Sequence, residues 1–173
     1  MALLGWRFEG ELPNVRKGVI IVAPHTSNWD WVVGIAGKLA LGLDANWLGK
    51  HTIFRGPLGA LMGWLGGIPV DRTSSHDVVA QCVTQFNARE RMMLGLAPEG
   101  TRKAVTRWKT GFYHIARGAD VPIVPVSFDW TRKAITIGPP LVPSGDMDAD
   151  LAVFSAFFLP ARGRRGEITP PPR

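Results

Sequence analysis

Val19-Ile20-Ile21-Val22-Ala23-Pro24-His25-Thr26-Ser27-Asn28-Trp29-Asp30 passes from an apolar run into a helical pattern. The apolar run reads as a buried strand. From residue 28 onward Trp29, Val32, Val33, Ala36, Ala40 and Leu43 recur at three- and four-residue steps, the period of a helix. A histidine and a carboxylate are therefore set down at a strand-to-helix corner, where open α/β sheets hold their ligands. Ser27 falls at the N-cap and Asp30 three residues later, a capping-box pattern with Asp in place of Glu or Gln.

From the first helical turn the Asp30 carboxylate can point back toward His25 on the incoming chain. A carboxylate on one imidazole nitrogen fixes the tautomer and leaves the other nitrogen as a base, and an unperturbed histidine titrates at about 6.5. On these residues alone a plain helix cap is the better reading, capping boxes being far commoner than catalytic dyads. The rest of the chain shifts that balance.

Outward from this corner the chain alternates strands and helices. Residues 1–17, broken by Gly5, Gly10 and Pro13, read as an N-terminal strand or arm, 18–23 as a strand, and 28–43 as a helix. That helix is apolar nearly all round, so it is expected either deeply buried or against lipid. Residues 46–49 form a second strand. The apolar segment 54–67 carries five glycines, each weakening a helix by roughly 1 kcal/mol relative to Ala; close backbone packing or approach to a long apolar ligand would keep them there. Residues 74–77 open an amphipathic helix that runs to Phe86. Further strands are read at 92–97, 121–126 and 134–137, and helices at 108–117, stopped by Gly118, and 151–159. Pro122 and Pro125 mark 121–126 as an edge strand or a bulge. The order predicts an α/β fold, a mixed, partly parallel central sheet flanked by helices in a single domain over 1–173, with 161–173 a basic, Pro-rich tail.

With 173 residues and 46% hydrophobic against 20% charged side chains, the composition is that of a globular chain. The net charge of +6 and pI of about 10.1 point to an anionic partner. Seven Trp stand against one Tyr, and Trp suits both cores and membrane interfaces. The lone cysteine, Cys82, shares a helical face with Val78, Val79, Val83 and Phe86 and reads as a small buried hydrophobe, not a nucleophile. No run reaches transmembrane length and no signal peptide is recognisable. A cytoplasmic location with peripheral attachment to the inner membrane face is expected.

Three strand ends carry polar clusters: His25 and Asp30, Asp71 and Arg72, Glu99 and Arg102. Each alone has a dull explanation. Together they would supply a base, its orienting carboxylate and two guanidinium groups, which suits a phosphate held beside a hydroxyl to be deprotonated. His25-x4-Asp30, Gly67-Ile68-Pro69-Val70-Asp71-Arg72, Glu99-Gly100-Thr101-Arg102 and Val121-Pro122-Ile123-Val124-Pro125-Val126 resemble, in order and spacing, the four sequence blocks of the PlsC-like glycerolipid acyltransferases. The resemblance spans about residues 18–130. It implies transfer of a fatty acyl group from acyl-CoA or acyl carrier protein to a hydroxyl of a lysophospholipid such as 1-acylglycerol-3-phosphate, with no cofactor beyond the co-substrate. It implies His25 as general base oriented by Asp30, and Arg72, Glu99, Gly100, Thr101 and Arg102 as acceptor-binding residues. Pro24 stands where many relatives have Asn, and only 17 residues precede the first core strand, so membrane contact falls to apolar segments, Trp residues and surface charge.

Other classes fit less well. No Gly-x-Ser-x-Gly elbow is present. His25, His51, His76 and His114 are scattered without ligand spacing, so no metal site is expected; His51 and His76 read as exposed and His114 as packed in its helix. Nucleic-acid motifs are absent. The rivals are acylation of a non-phosphate lipid or metabolite and non-catalytic binding of anionic lipid.

Overall fold

The computed structural model describes residues 5–70, 75–103 and 105–165, the side chains of 75–77 excepted. Strands β1 (Arg7–Glu9), β2 (Lys17–Ala23), β3 (Ala45–Lys50), β4 (Gly67–Val70), β5 (Met92–Leu96), β6 (Ile123–Asp129) and β7 (Ala134–Ile137) form one sheet in the order β1-β7-β6-β2-β5-β3-β4. Every neighbouring pair is parallel except β6 and β7, which are joined by a tight turn. Among the described residues the flanking helices are α1 (Asn28–Ala40), α2 (Gly56–Trp64), α3 (Ser75–Asn87), α4 (Gly111–Ala119) and α5 (Met147–Phe158). The mixed, mostly parallel α/β architecture is the one the sequence order predicts.

Alternation along β2 divides the core in two. Val19, Ile21 and Ala23 face Leu94, Ile123 and the buried sides of α3, α4 and α5, including Cys82, Phe112, Ile115, Phe154 and Phe158. Ile20 packs on the opposite face with Met93, Val124 and Ile137. There α1 settles Val33 beside Trp6, Phe128 and Ile135. Cys82 is 2% exposed and burial pushes its thiol up to about 11, so it is a core side chain as expected.

Four expectations need correction. The strand carrying Pro125 is not at an edge: β6 lies between β2 and β7. Pro125 turns its carbonyl toward the β7 side, where it accepts from Gly138 N, so its missing N–H also faces that side, just beyond the β7 ladder that starts at Val126 and Ile137. Gly118 does not stop the fourth helix, which runs from Gly111 to Ala119 and ends at Asp120 with φ 52°. A Cβ at Gly118 would lie 2.8 Å from Val83 Cγ2, so this glycine lets α4 approach α3. His114 is exposed on α4, not packed. Of the two readings of the first helix, deep burial is the one overturned: it buries only one side, leaving Trp29, Val32 and Leu39 exposed. In the glycine-rich segment close packing is the reason at Gly59, where a Cβ would meet Phe54 O at 2.1 Å, and at Gly67, where it would meet Met62 O at 2.7 Å.

Candidate active site

The central strand β2 ends at Ala23 with β5 on one side and β6 on the other, and the next helix, α1, leads away toward β3. The connections after β2 and β5 thus diverge from one crevice at the carboxyl end of the sheet. Residues 24–30 and 97–102 meet there.

Ser27 caps α1: its hydroxyl accepts from Trp29 N at 3.2 Å, while Asp30 Oδ2 accepts from Ser27 N at 2.7 Å and closes the capping box. The same Oδ2 accepts from Thr26 N at 2.7 Å. Asp30 Oδ1 accepts from Trp130 Nε1, also at 2.7 Å. With 1% exposure, this carboxylate is held on both oxygens by donors that leave it no alternative position. His25 Nδ1 stands 3.6 Å from Asp30 Oδ2, in electrostatic contact though longer than a hydrogen bond. The remaining nitrogen, Nε2, is directed away from that carboxylate.

The histidine backbone is fixed from the neighbouring strand. Glu99, 4% exposed, accepts from His25 N at 3.3 Å through Oε1 and at 3.1 Å through Oε2. Gly100 follows with φ 66°, the left-handed conformation that favours glycine. That turn carries Thr101, whose Oγ1 accepts from Lys103 N at 3.3 Å, and returns Arg102, whose Nη1 donates to Asn28 Oδ1. Burial holds the His25 imidazole below its ordinary value of 6.5; the Asp30 charge opposes this and the Arg102 guanidinium adds to it. The neutral imidazole is the form present at neutral pH.

Two of the three polar corners therefore meet: His25 and Asp30 with Glu99 and Arg102. Asp71 and Arg72 lie outside the described residues. The strand that leads to them, β4, stands three strands from β2, about 14 Å at ~4.8 Å per strand. Of the expected acceptor-binding residues, Thr101 and Arg102 are exposed in the crevice while the Glu99 carboxylate is turned inward under the His25 backbone.

Sequence reasoning missed two participants. Trp130 reaches Asp30 from the β6–β7 turn, 100 residues away. A local signal for that turn was legible, since Asp129 Oδ1 accepts from Thr131 N and Arg132 N as aspartate does in turns. The second is Arg164. The segment expected as a tail comes back to the corner over its described residues: Arg162 O accepts from Trp130 N at 3.0 Å and Arg164 N donates to Thr26 Oγ1 at 3.3 Å. Residues 166–173 lie outside the described structure. Among the described residues no cluster of His, Cys, Asp and Glu has the makings of a metal site.

The Acyltransferase family model matches residues 7–129. The chain is 32% identical over 125 residues to the 1-acyl-sn-glycerol-3-phosphate acyltransferase of Escherichia coli (strain K12), covering 68% of this chain and 49% of the relative. It is 28% identical over 145 residues to the protein of the same name from Haemophilus influenzae, covering 78% of this chain and 59% of the relative. The human 1-acyl-sn-glycerol-3-phosphate acyltransferase beta is 34% identical over 85 residues, or 46% and 30% of the two chains. This chain thus spans about half the length of the curated relatives it matches. No solved structure matches it. With the family model covering most of its length, and both the His25 corner and the Glu99-to-Arg102 loop inside the matched segment, the chain belongs to the PlsC-like glycerolipid acyltransferase family.

Proposed function

We propose that this protein moves a fatty acyl group from an acyl thioester, acyl-CoA or acyl carrier protein, to a hydroxyl of a lysophospholipid such as 1-acylglycerol-3-phosphate. The observation that carries the proposal is His25 Nδ1 facing a buried Asp30 carboxylate whose oxygens are pinned by three donors. Such a carboxylate keeps the proton on Nδ1, so Nε2 is the base. The acceptor hydroxyl gives its proton to Nε2 as its oxygen attacks the thioester carbonyl. The tetrahedral intermediate then expels the thiolate, which recovers the proton from the imidazolium. A thiolate leaves readily, so no acyl-enzyme is needed. Glu99 supports the reaction from behind by fixing the His25 backbone, and Arg102 takes the acceptor phosphate. Gly100 and Thr101 shape the loop that presents it.

No helix among the described residues is long and apolar enough to cross a membrane. Lipid access is proposed at the open sides of α1 and α2, where Trp29, Leu58, Leu61 and Trp64 are exposed, Trp64 at 72%. Lys38 Nζ donates to Leu65 O at 3.1 Å and ties the two helices into one surface. Its apolar side chains suit peripheral contact with the inner membrane face.

Thiol release from a long-chain acyl-CoA, and separately from acyl carrier protein, with and without lysophosphatidic acid tests the proposal. Acceptor-dependent release supports it. Release from neither donor with any phosphorylated acceptor would overturn it.

The pH profile gives an independent check. The acid limb of kcat/KM reports the base in the free enzyme, and it is expected below 6.5 because His25 is held down by burial and by Arg102. The protonated form is inactive, so activity is lost as pH falls through that value. Arg102→Ala removes the nearby positive charge and is expected to move the limb up toward 6.5 as well as raising the acceptor KM. A limb that stays in place would show that Arg102 does not act on the imidazole.

A further inference from the structure

Arg164 lies beyond the segment matched by the family model, yet it is seated on the candidate active site. Its guanidinium lies over the Trp29 ring at 5.3 Å and over the Trp130 ring at 5.4 Å. Nη1 donates to Ser27 Oγ at 3.4 Å and the backbone N to Thr26 Oγ1 at 3.3 Å. Among the described residues no carboxylate pairs with Arg164, and none pairs with Arg102. The two guanidiniums are thus held by consecutive side chains, Ser27 and Asn28, on the corner that carries His25.

An arginine placed by two aromatic faces and a hydroxyl, and paired with no carboxylate among the described residues, is preorganised for an anion; the nearby Asp30 carboxylate is already engaged by Thr26 N, Ser27 N and Trp130 Nε1. Two such groups beside one base suit the dianionic oxygens of a phosphate monoester, which take paired N–H donors. Both acceptor and donor offer phosphate. The acceptor phosphate lies only a few bonds from the hydroxyl that His25 must reach, whereas the phosphates of coenzyme A are a whole pantetheine arm from the thioester.

We infer that Arg164 is the second arm of a phosphate clamp whose first arm is Arg102, and that it sets the preference for a phosphorylated over a neutral acceptor. The inference rests on the acyl-transfer reading above, and it assigns the site a residue from outside the family segment. The aromatic seat keeps the guanidinium in place before the ligand arrives, which lowers the ordering cost of binding.

Two measurements on Arg164→Ala and Arg164→Lys test it. In calorimetric titration with sn-glycerol 3-phosphate, the alanine variant is expected to bind about tenfold more weakly than wild type, the loss of one charge-assisted contact. Lysine should recover part, restoring charge without the fork. In thiol release, the ratio of kcat/KM for lysophosphatidic acid to that for monoacylglycerol is expected to fall about tenfold in Arg164→Ala. Equal titration of variant and wild type, or no binding to wild type, would overturn the clamp. So would an equal loss or a gain with both acceptors, which would make Arg164 a brace or a cover, or a loss confined to acyl-CoA and absent with acyl-pantetheine, which would place it on the donor. Binding that depends on Arg164 without thiol release from any donor would leave the clamp standing and overturn the acyl-transfer reading instead.

Discussion

His25→Ala is expected to lower kcat for acceptor-dependent thiol release by about 10²- to 10⁴-fold, the usual span for removing a positioned general base. Both Michaelis constants should change little, since the imidazole abstracts a proton and is not assigned to hold either substrate. The fold should survive, because the contact from residue 25 to Glu99 is made by its backbone N–H, which alanine keeps. The lost side chain is itself partly open to solvent. That opening permits a second readout: added imidazole should restore part of the rate to the alanine variant and none to wild type. A variant retaining more than a tenth of wild-type kcat would remove His25 from the reaction. If instead the loss appeared wholly as a raised acceptor KM, His25 would be a binding residue and the base would have to be sought elsewhere.

The local chemistry of this corner was legible because it is written in consecutive residues. Ser27 and Asp30 follow a spacing that one helical turn closes automatically, and the structure makes that capping box. The sequence set helix cap against dyad as rival readings of Asp30. In the structure they are compatible: one oxygen, Oδ2, caps the helix through Ser27 N and faces His25 Nδ1. A buried carboxylate has several acceptor positions, and a single residue can meet both demands.

What the sequence could not show is long-range. Glu99 arrives under His25 only because β5 pairs with β2 in a register that sets Leu96 opposite Ile21. No periodicity encodes that. Trp130 comes from the turn after β6, and Arg164 packs beside it; both reach the corner because β6 is an interior strand paired with β2, where Pro122 and Pro125 had marked an edge or a bulge. The rule about proline fails there because only one side of the strand needed the missing donor, and that side lies between two stretches of pairing, at Val126 and at Ile123. Trp6, from an arm with little pattern of its own, stacks edge-on against Trp130 with centroids 5.0 Å apart. The N-terminal arm is thereby linked through packing on Trp130 to the Asp30 carboxylate.

Asp30→Asn is the substitution with the second large effect, and its cost follows from counting donors. The carboxylate offers acceptors on both oxygens, with Thr26 N and Ser27 N on Oδ2 and Trp130 Nε1 on Oδ1. An amide has one acceptor oxygen and one donor NH2. With the NH2 in the Oδ2 position it would oppose two backbone N–H groups, so it takes the Oδ1 position and opposes the indole N–H instead. A buried donor left without a partner costs about 1–3 kcal/mol, and the variant should lose stability of that order in urea unfolding. Its kcat should fall by about 10²- to 10⁴-fold, because the amide retains no charge to stabilise the imidazolium. Trp130→Phe in the wild-type background strips one donor from Oδ1 and loses packing on Trp6. In the Asp30→Asn background the same change removes the clash, so it should cost less there, and the two substitutions should be coupled by more than the ~0.5 kcal/mol expected of independent sites. Activity in the double variant should stay low, since removing the clash restores no charge. Additive stabilities would mean that the indole N–H does not govern the carboxylate, and an Asp30→Asn enzyme with wild-type kcat would dissolve the dyad altogether.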